Sequence, residues 1–512
     1  MAIRSLFVNL KRNKVQLEAI TTRRLIASRA PIKPDKAPPI TKGGELGSNI
    51  LSLKFPRRSA TTVIQDWVDS GHRVTISELR IIYKQLLKYK RYKHALEILT
   101  WMETQNSLLM SATDHAVRLG LIINVQGLEG AEEYFMRIPN SASQKAACLP
   151  LLRGYVKERA VNKAEAFMVK LSGWGMIVSP HPFNEMMKLY IATSQSNKVP
   201  LVMLQMKQNK IPRTVLTYNL WMSACAEIDG PASVEMIYKE LLSDKNVELG
   251  WSSLSTLANA YIKAGLVNKA FATLKLAEKK LSASNRLGYL FLMTLYASLS
   301  DKKGVLRLWD ASKVVSGRIT CASYICILSC LVKLGDFVEA KRIFVEWESN
   351  CQNYDIRVSN VLLGAYMRNG LMKEAELLHL HTLERGGCPN YKTWEILMEG
   401  WLNSGNMLKA IDAMKKGFSM LKHCDWRPSH RSLLAIAEYF EKHGNLEDAN
   451  QYIRDVHRFG LGSLPVYKSL LRRHLSAHKP AFDILEMMEK DGIEMDDDTS
   501  SLIEALNSQI KL

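Results

Sequence analysis

Residues 356–390 read IRVSNVLLGAYMRNGLMKEAELLHLHTLERGGCPN. Two apolar runs, VLLGAYM at 361–367 and MKEAELLHL at 372–380, flank Gly370, and the stretch closes on Cys388, Pro389 and Asn390. Both runs space their apolar residues three and four apart, the period of a helix with one buried face. Gly370 supplies a turn that tolerates left-handed backbone. Ala375, five residues on, lets two helices approach closely. Pro389 disfavours helical backbone in the residue before it and so ends the second helix. The stretch predicts a helical hairpin with more apolar surface than one hairpin can cover. It needs neighbours.

Those neighbours recur at a fixed period. The pairs Gly265/Ala270, Gly335/Ala340, Gly370/Ala375, Gly405/Ala410 and Gly444/Ala449 follow one another at steps of 70, 35, 35 and 39 residues. The Ala column continues at Ala95, Ala131, Ala164 and Ala481 with the Gly replaced. An aromatic residue near the start of the unit also recurs, as in Tyr218-Asn219, Tyr324-Ile325 and Trp394-Glu395. Twelve units of 33–39 residues fit between 76 and 496. The expected fold is all-α, a right-handed α-solenoid of about twelve helix-turn-helix repeats whose core grows with length and whose inner face is concave.

Length and composition agree with an array. A chain of 512 residues is too long for one ordinary core. Its 47% hydrophobic and 23% charged residues are those of a folded protein. The longest apolar run, LFLMTLYASL at 290–299, is about half of what a bilayer requires, so no membrane span is expected. The net charge of +19 is uneven: residues 1–60 carry 13 Lys/Arg against Glu18, Asp35 and Glu45, which leaves +9 for everything after them. The repeat region is therefore only mildly basic, and the total charge alone does not argue for a polyanion. Eight Cys are scattered without CxxC or zinc spacing, which points to buried thiols in a reducing compartment and to no metal.

The first 30 residues hold seven Lys/Arg and one acid, with Ile3, Leu6, Phe7, Val8 and Leu10 interleaved among the cations. Such a basic, acid-poor amphipathic segment reads as an organelle transit peptide, assigned to 1–32. Its Arg content favours the mitochondrion over the chloroplast. A Pro-, Gly- and Lys-rich stretch then suggests a flexible linker over 33–58. A leading helix is expected at 59–75, the array at 76–496 and a C-terminal capping helix at 497–512.

The 35-residue period, the Tyr-Asn near the unit start, the Gly-x4-Ala centre and the Pro-Asn finish together resemble the pentatricopeptide repeat family. The pure-repeat class and its plant mitochondrial members are the nearest likeness, with 66–102 similar to their entry segment. The resemblance is strongest at 251–285 and 321–449 and degenerate at 112–179 and 464–496. It implies binding of single-stranded RNA, one base per repeat, read by the fifth and last residues of each unit. The informative fifth positions are Asn184, Asn219, Ser255 and Asn360, with last residues Thr214, Gly250, Asn285 and Asn390. Of these, Asn184, Thr214, Asn219, Ser255, Asn285, Asn360 and Asn390 are the candidate base-reading residues. Ser255 with Asn285 resembles an adenine-reading pair, and Asn360 with Asn390 a pyrimidine-reading pair. Arg80, Ala116, Leu149, Leu290, Ile325, Glu395, Leu434 and Lys468 fill the other fifth positions and carry no readable code.

Eight residues past the fifth position stand Lys88, Lys157, Lys263, Lys333, Arg368 and Lys442. In a stack these cations would form a row able to follow a phosphate backbone without reading bases. Each would also neutralise the negative end of its own helix, and the two roles are compatible. No phosphate loop, paired carboxylates or nucleophile–base arrangement is visible. An enzyme, a cofactor and a small-molecule substrate are therefore not expected. The sequence suggests a non-catalytic RNA-binding protein of organelle RNA metabolism. The alternative is a scaffold subunit of a mitochondrial ribonucleoprotein such as the ribosome.

Overall fold

A computed structural model describes residues 45–53, 58–105, 109–421 and 427–510. The expected transit peptide at 1–32 and Cys424 lie outside the described residues. Among those described there are 27 α-helices and one short 3-10 helix, and no strand. Twelve helix pairs can be counted, from Ile76–Lys88 with Tyr92–Thr104 to Leu464–Ser476 with Phe482–Lys490. The chain divides into two compact units at Met176/Ile177, the first holding three pairs and the second nine.

Within each unit the same packing recurs. The first helix of a pair lies against its own second helix and, in most pairs, against the first helix of the next pair. In the second unit, helices Trp251–Lys263, Arg286–Ser298, Cys321–Lys333, Ile356–Arg368 and Tyr391–Asn403 stack in this way. One core cluster runs from Leu254 to Leu506 without interruption. The Ala column sits at the centre of each hairpin. Ala95, Ala131, Ala164, Ala270, Ala340, Ala375 and Ala410 are wholly buried, and Ala449 and Ala481 nearly so.

The hairpin turns share a left-handed residue. Gly265, Gly335, Gly370 and Gly405 have φ of +73° to +76°. In the turn at Gly370 the Leu371 N–H donates to the Tyr366 carbonyl at 2.9 Å, the bond that closes a helix C-terminus around such a residue. Where the column lacks Gly, Lys90 and Arg159 take the same conformation, and Ser194, Ser300 and His478 do so in other hairpins. Gly444 departs from the pattern, with φ −78° and extended backbone.

The linker expected over 33–58 is corrected in part, because Glu45–Ser52 is a helix. Leu46 and Ile50, four residues apart, are fully buried. Arg91 donates to the carbonyls of Leu51 and Leu53 at 2.7 and 2.5 Å, satisfying the C-terminal acceptors that a short helix leaves open. Helix Ala60–Asp69 follows, with its Ala60 N–H held by the Glu97 carboxylate at 2.7 Å. At the other end lies helix Asp497–Ile510.

Candidate nucleic-acid interface

The last residue of each unit is the residue that starts the next first helix. Thr214, Gly250, Asn285, Asp355 and Asn390 are all helix N-caps; the side chains of Thr214, Asn285, Asp355 and Asn390 accept a first-turn N–H, and Gly250 makes no side-chain cap. Thr214 with Thr217, and Asn390 with Thr393, form reciprocal capping boxes.

Two fifth-position amides reach forward into these caps. Thr217 Oγ1 donates to Asn184 Oδ1 at 2.8 Å, and Asn184 Nδ2 donates to Thr214 Oγ1 at 3.5 Å. Thr393 Oγ1 donates to Asn360 Oδ1 at 3.0 Å, and Asn360 Nδ2 donates to Asn390 Oδ1 at 3.3 Å. Asn390 Oδ1 also accepts the Thr393 N–H at 3.1 Å, so the Asn360 atom facing it must be the donor nitrogen. The two joints are closed clasps, with Asn184 and Asn360 buried.

The remaining candidates are placed differently. Asn219 Nδ2 donates to Ser252 Oγ at 3.2 Å, while its Oδ1 is buried without a partner. Ser255 is fully buried and donates to the Trp251 carbonyl of its own helix at 2.7 Å. Asn285 is exposed and caps the Leu287 N–H at 3.0 Å. The structure thus brings Asn184 to Thr214 and Asn360 to Asn390, and joins Ser255 and Asn285 by no hydrogen bond.

The charged fifth positions are engaged as well. Arg80 grips Asp114 with Nε at 3.1 Å and Nη2 at 2.5 Å, and Tyr83 donates its hydroxyl to the same carboxylate at 2.8 Å. Burial pushes the Asp114 pKa up, but the hydrogen bonds from Arg80, Ser111 and Tyr83 outweigh it and hold the group down at about 2. Lys468 pairs with Asp496 at 3.0 Å and Asp498 at 2.9 Å. Glu395 pairs with Lys392. Sequence reasoning passed over Thr217, Thr393 and Asp114. The signal that finds them is a capping residue followed three positions later by Thr or Asp.

The cations past the fifth position are exposed and end their helices. Three of them reach back to the preceding first helix: Lys157 to Asn124 at 3.4 Å, Lys263 to Glu227 at 3.6 Å, and Lys333 to Ser298 at 2.8 Å. Partial burial holds the Lys333 ammonium below its ordinary pKa. Half of the column, Lys157, Lys263 and Lys333, thus ties neighbouring repeats together near helix C-termini, with charge still turned to solvent. Among the described residues no cluster of His, Cys, Asp and Glu could hold a metal ion, and no helix is long and apolar enough to cross a membrane.

The profile of the PPR repeat matches residues 322–351 and 358–386, two of the hairpins just described. A pentatricopeptide repeat-containing protein of Arabidopsis thaliana is 58% identical over 86% of this chain and 91% of its own length. The chain belongs to the pentatricopeptide repeat family. A second Arabidopsis thaliana member, named mitochondrial, is 36% identical over 91% of this chain and 87% of its own. The crystal structure of the maize pentatricopeptide repeat protein PPR10 in complex with an 18-nt RNA element matches with a TM-score of 0.48 and 15% identity, covering 87% of this chain and 68% of that one. The clasped amides Asn184 and Asn360 sit at the fifth position of the fourth and ninth helix pairs.

Proposed function

We propose that this pentatricopeptide repeat protein is a non-catalytic RNA-binding protein that holds single-stranded RNA along its first helices and acts in mitochondrial RNA metabolism. The observation that carries it is an Asn at the fifth position of three repeats, Asn184, Asn219 and Asn360, in a family whose repeats read one base each; the Asn184 and Asn360 amides are held by the cap of the following repeat, which a base would have to displace. Exposed cations at the ends of the same helices supply charge for the phosphate backbone without sequence readout. The mitochondrial assignment is supported by the basic leader and by the names of several relatives.

One observation favours a scaffold subunit of a mitochondrial ribonucleoprotein, such as the ribosome, as a second reading. Leu149, Leu290, Ile325 and Leu434 are aliphatic at fifth positions, and Arg80 and Lys468 are ion-paired there. Such repeats can serve contact with protein or folded RNA instead of base reading.

Titrating the full chain with an unstructured RNA, and with the same RNA annealed to its complement, separates the two. Preferred binding of the single strand, weakening as salt rises, is the expected result. Binding to neither, or stronger binding to the duplex, would remove the first reading.

A further inference from the structure

Helix Met372–Glu384, the second of the ninth pair, buries only Ala375 and Thr382. Its Leu377, Leu380 and Leu383 are 67%, 56% and 42% exposed, and no other described helix leaves three leucines in solvent. One exposed leucine needs no explanation, but a row of them marks a surface that something covers. The row is bracketed by charge. Lys373, Leu377, Leu380 and Glu384 follow at steps of four, three and four, which places them on one stripe of the helix. Lys373 and Glu384 are exposed, and neither makes an ion pair or hydrogen bond among the described residues.

The stripe is its own complement. Two copies of the helix, set antiparallel about a twofold axis midway between Leu378 and His379, bring Leu377 of one against Leu380 of the other. The same axis brings Lys373 against Glu384, twice per contact. The next second helix, 35 residues on, carries Asp412 and Lys415 where this one carries Leu377 and Leu380, so it complements itself by charge. Exposed leucines alone do not have this property. Helix Val199–Gln208 leaves Leu201 and Leu204 exposed at the same spacing. Its stripe ends on the uncharged Asn197 and Gln208, and antiparallel pairing would set Lys198 against Lys207. We propose that the exposed stripe of helix Met372–Glu384 is a homodimer contact, occupied by the same helix of a second copy of this chain. The leucines supply the attraction, and the two Lys373–Glu384 pairs fix register and direction. One helix against one helix is a small interface, so the association belongs to the weak, transient class. The contact uses a second helix only and goes beyond the RNA-binding reading, which concerns the first helices.

The experiment is sedimentation velocity of the full chain without RNA at about 1–100 μM, the range in which a weak dimer forms and dissociates. Circular dichroism melting of each variant checks the fold. Wild type should shift from monomer towards dimer across that range, and Leu380→Glu should hold it monomeric. Lys373→Glu and Glu384→Lys, each alone, set like charges against each other and should weaken dimerisation about tenfold or more. Mixed in equal amounts, these two variants should form a heterodimer about as tight as the wild-type dimer, since each brings the charge the other lacks. The double variant Lys373→Glu/Glu384→Lys should associate as wild type does. Recovery by exchange of charge is a result that a misfolded variant cannot give. A wild type that stays monomeric throughout, single variants that associate as wild type does, or a mixture that fails to associate would overturn the contact.

Discussion

Gly370 sits at φ +73° with open space around its missing Cβ, so the demand on this residue is conformational and not steric. Gly370→Val should destabilise the chain by about 1–2 kcal/mol, the cost of left-handed backbone for a residue with a Cβ. Ser300 holds the same conformation at φ +58° without being Gly. Ser300→Gly should therefore raise stability, by about 0.5–1 kcal/mol after the entropy of the unfolded glycine is set against the relief. Chemical denaturation of the three proteins side by side measures both signs. Asp114 gives a test of electrostatics at the same scale. Its folded pKa of about 2 lies below the ordinary carboxylate value, so its contribution is present above pH 4 and lost as pH falls towards 2. Asp114→Asn should remove about 2 kcal/mol at neutral pH and flatten that acid limb. An unchanged acid limb in the variant would show that Arg80 and Tyr83 do not hold the carboxylate as described.

At the scale of the helix and the hairpin, the Ala column marks where two helices come nearest. Ala375 is fully buried, and Ala375→Leu should force the pair apart at a cost of about 1–3 kcal/mol. Loss of the melting transition's cooperativity, or a lowered Tm, is the expected readout, and an unaltered melt would contradict the packing. The hairpins were legible in the sequence because the turn and the close contact each admit few residue types, so Gly370 and Ala375 announce them. The turns at Lys90, Arg159, Ser194, Ser300 and His478 were not, because tertiary packing imposes a left-handed residue that local propensity would reject. Helix Glu45–Ser52 was hidden for a similar reason. Its few apolar residues are too short a run to show a period, and its C-terminal carbonyls are satisfied by Arg91, some 40 residues away. The candidate site was legible as a set of positions. What pairs with what was not, since a capping box and a fifth-position amide meet only across the repeat boundary.

At the scale of the whole molecule, the proposed function would rest on many repeats contributing weak contacts to one strand. Just over half of the +19 lies in residues 1–60, so on the proposed function the array would retain RNA through placed cations and polar joints more than through net charge. Reversing Lys263, Lys333 and Arg368 together to Glu should weaken binding across sequences and lower the salt slope by about two to three units. Unchanged affinity and slope would remove the phosphate-track role and leave Lys263 and Lys333 as inter-repeat ties alone. The measurement that tests the account most directly is crosslinking and immunoprecipitation of the tagged protein from purified mitochondria, with sequencing of the bound RNA. The account predicts one or a few short single-stranded footprints on organellar transcripts. Crosslinks confined to ribosomal RNA, with the protein sedimenting among ribosomes, or no crosslinked RNA at all, would contradict it.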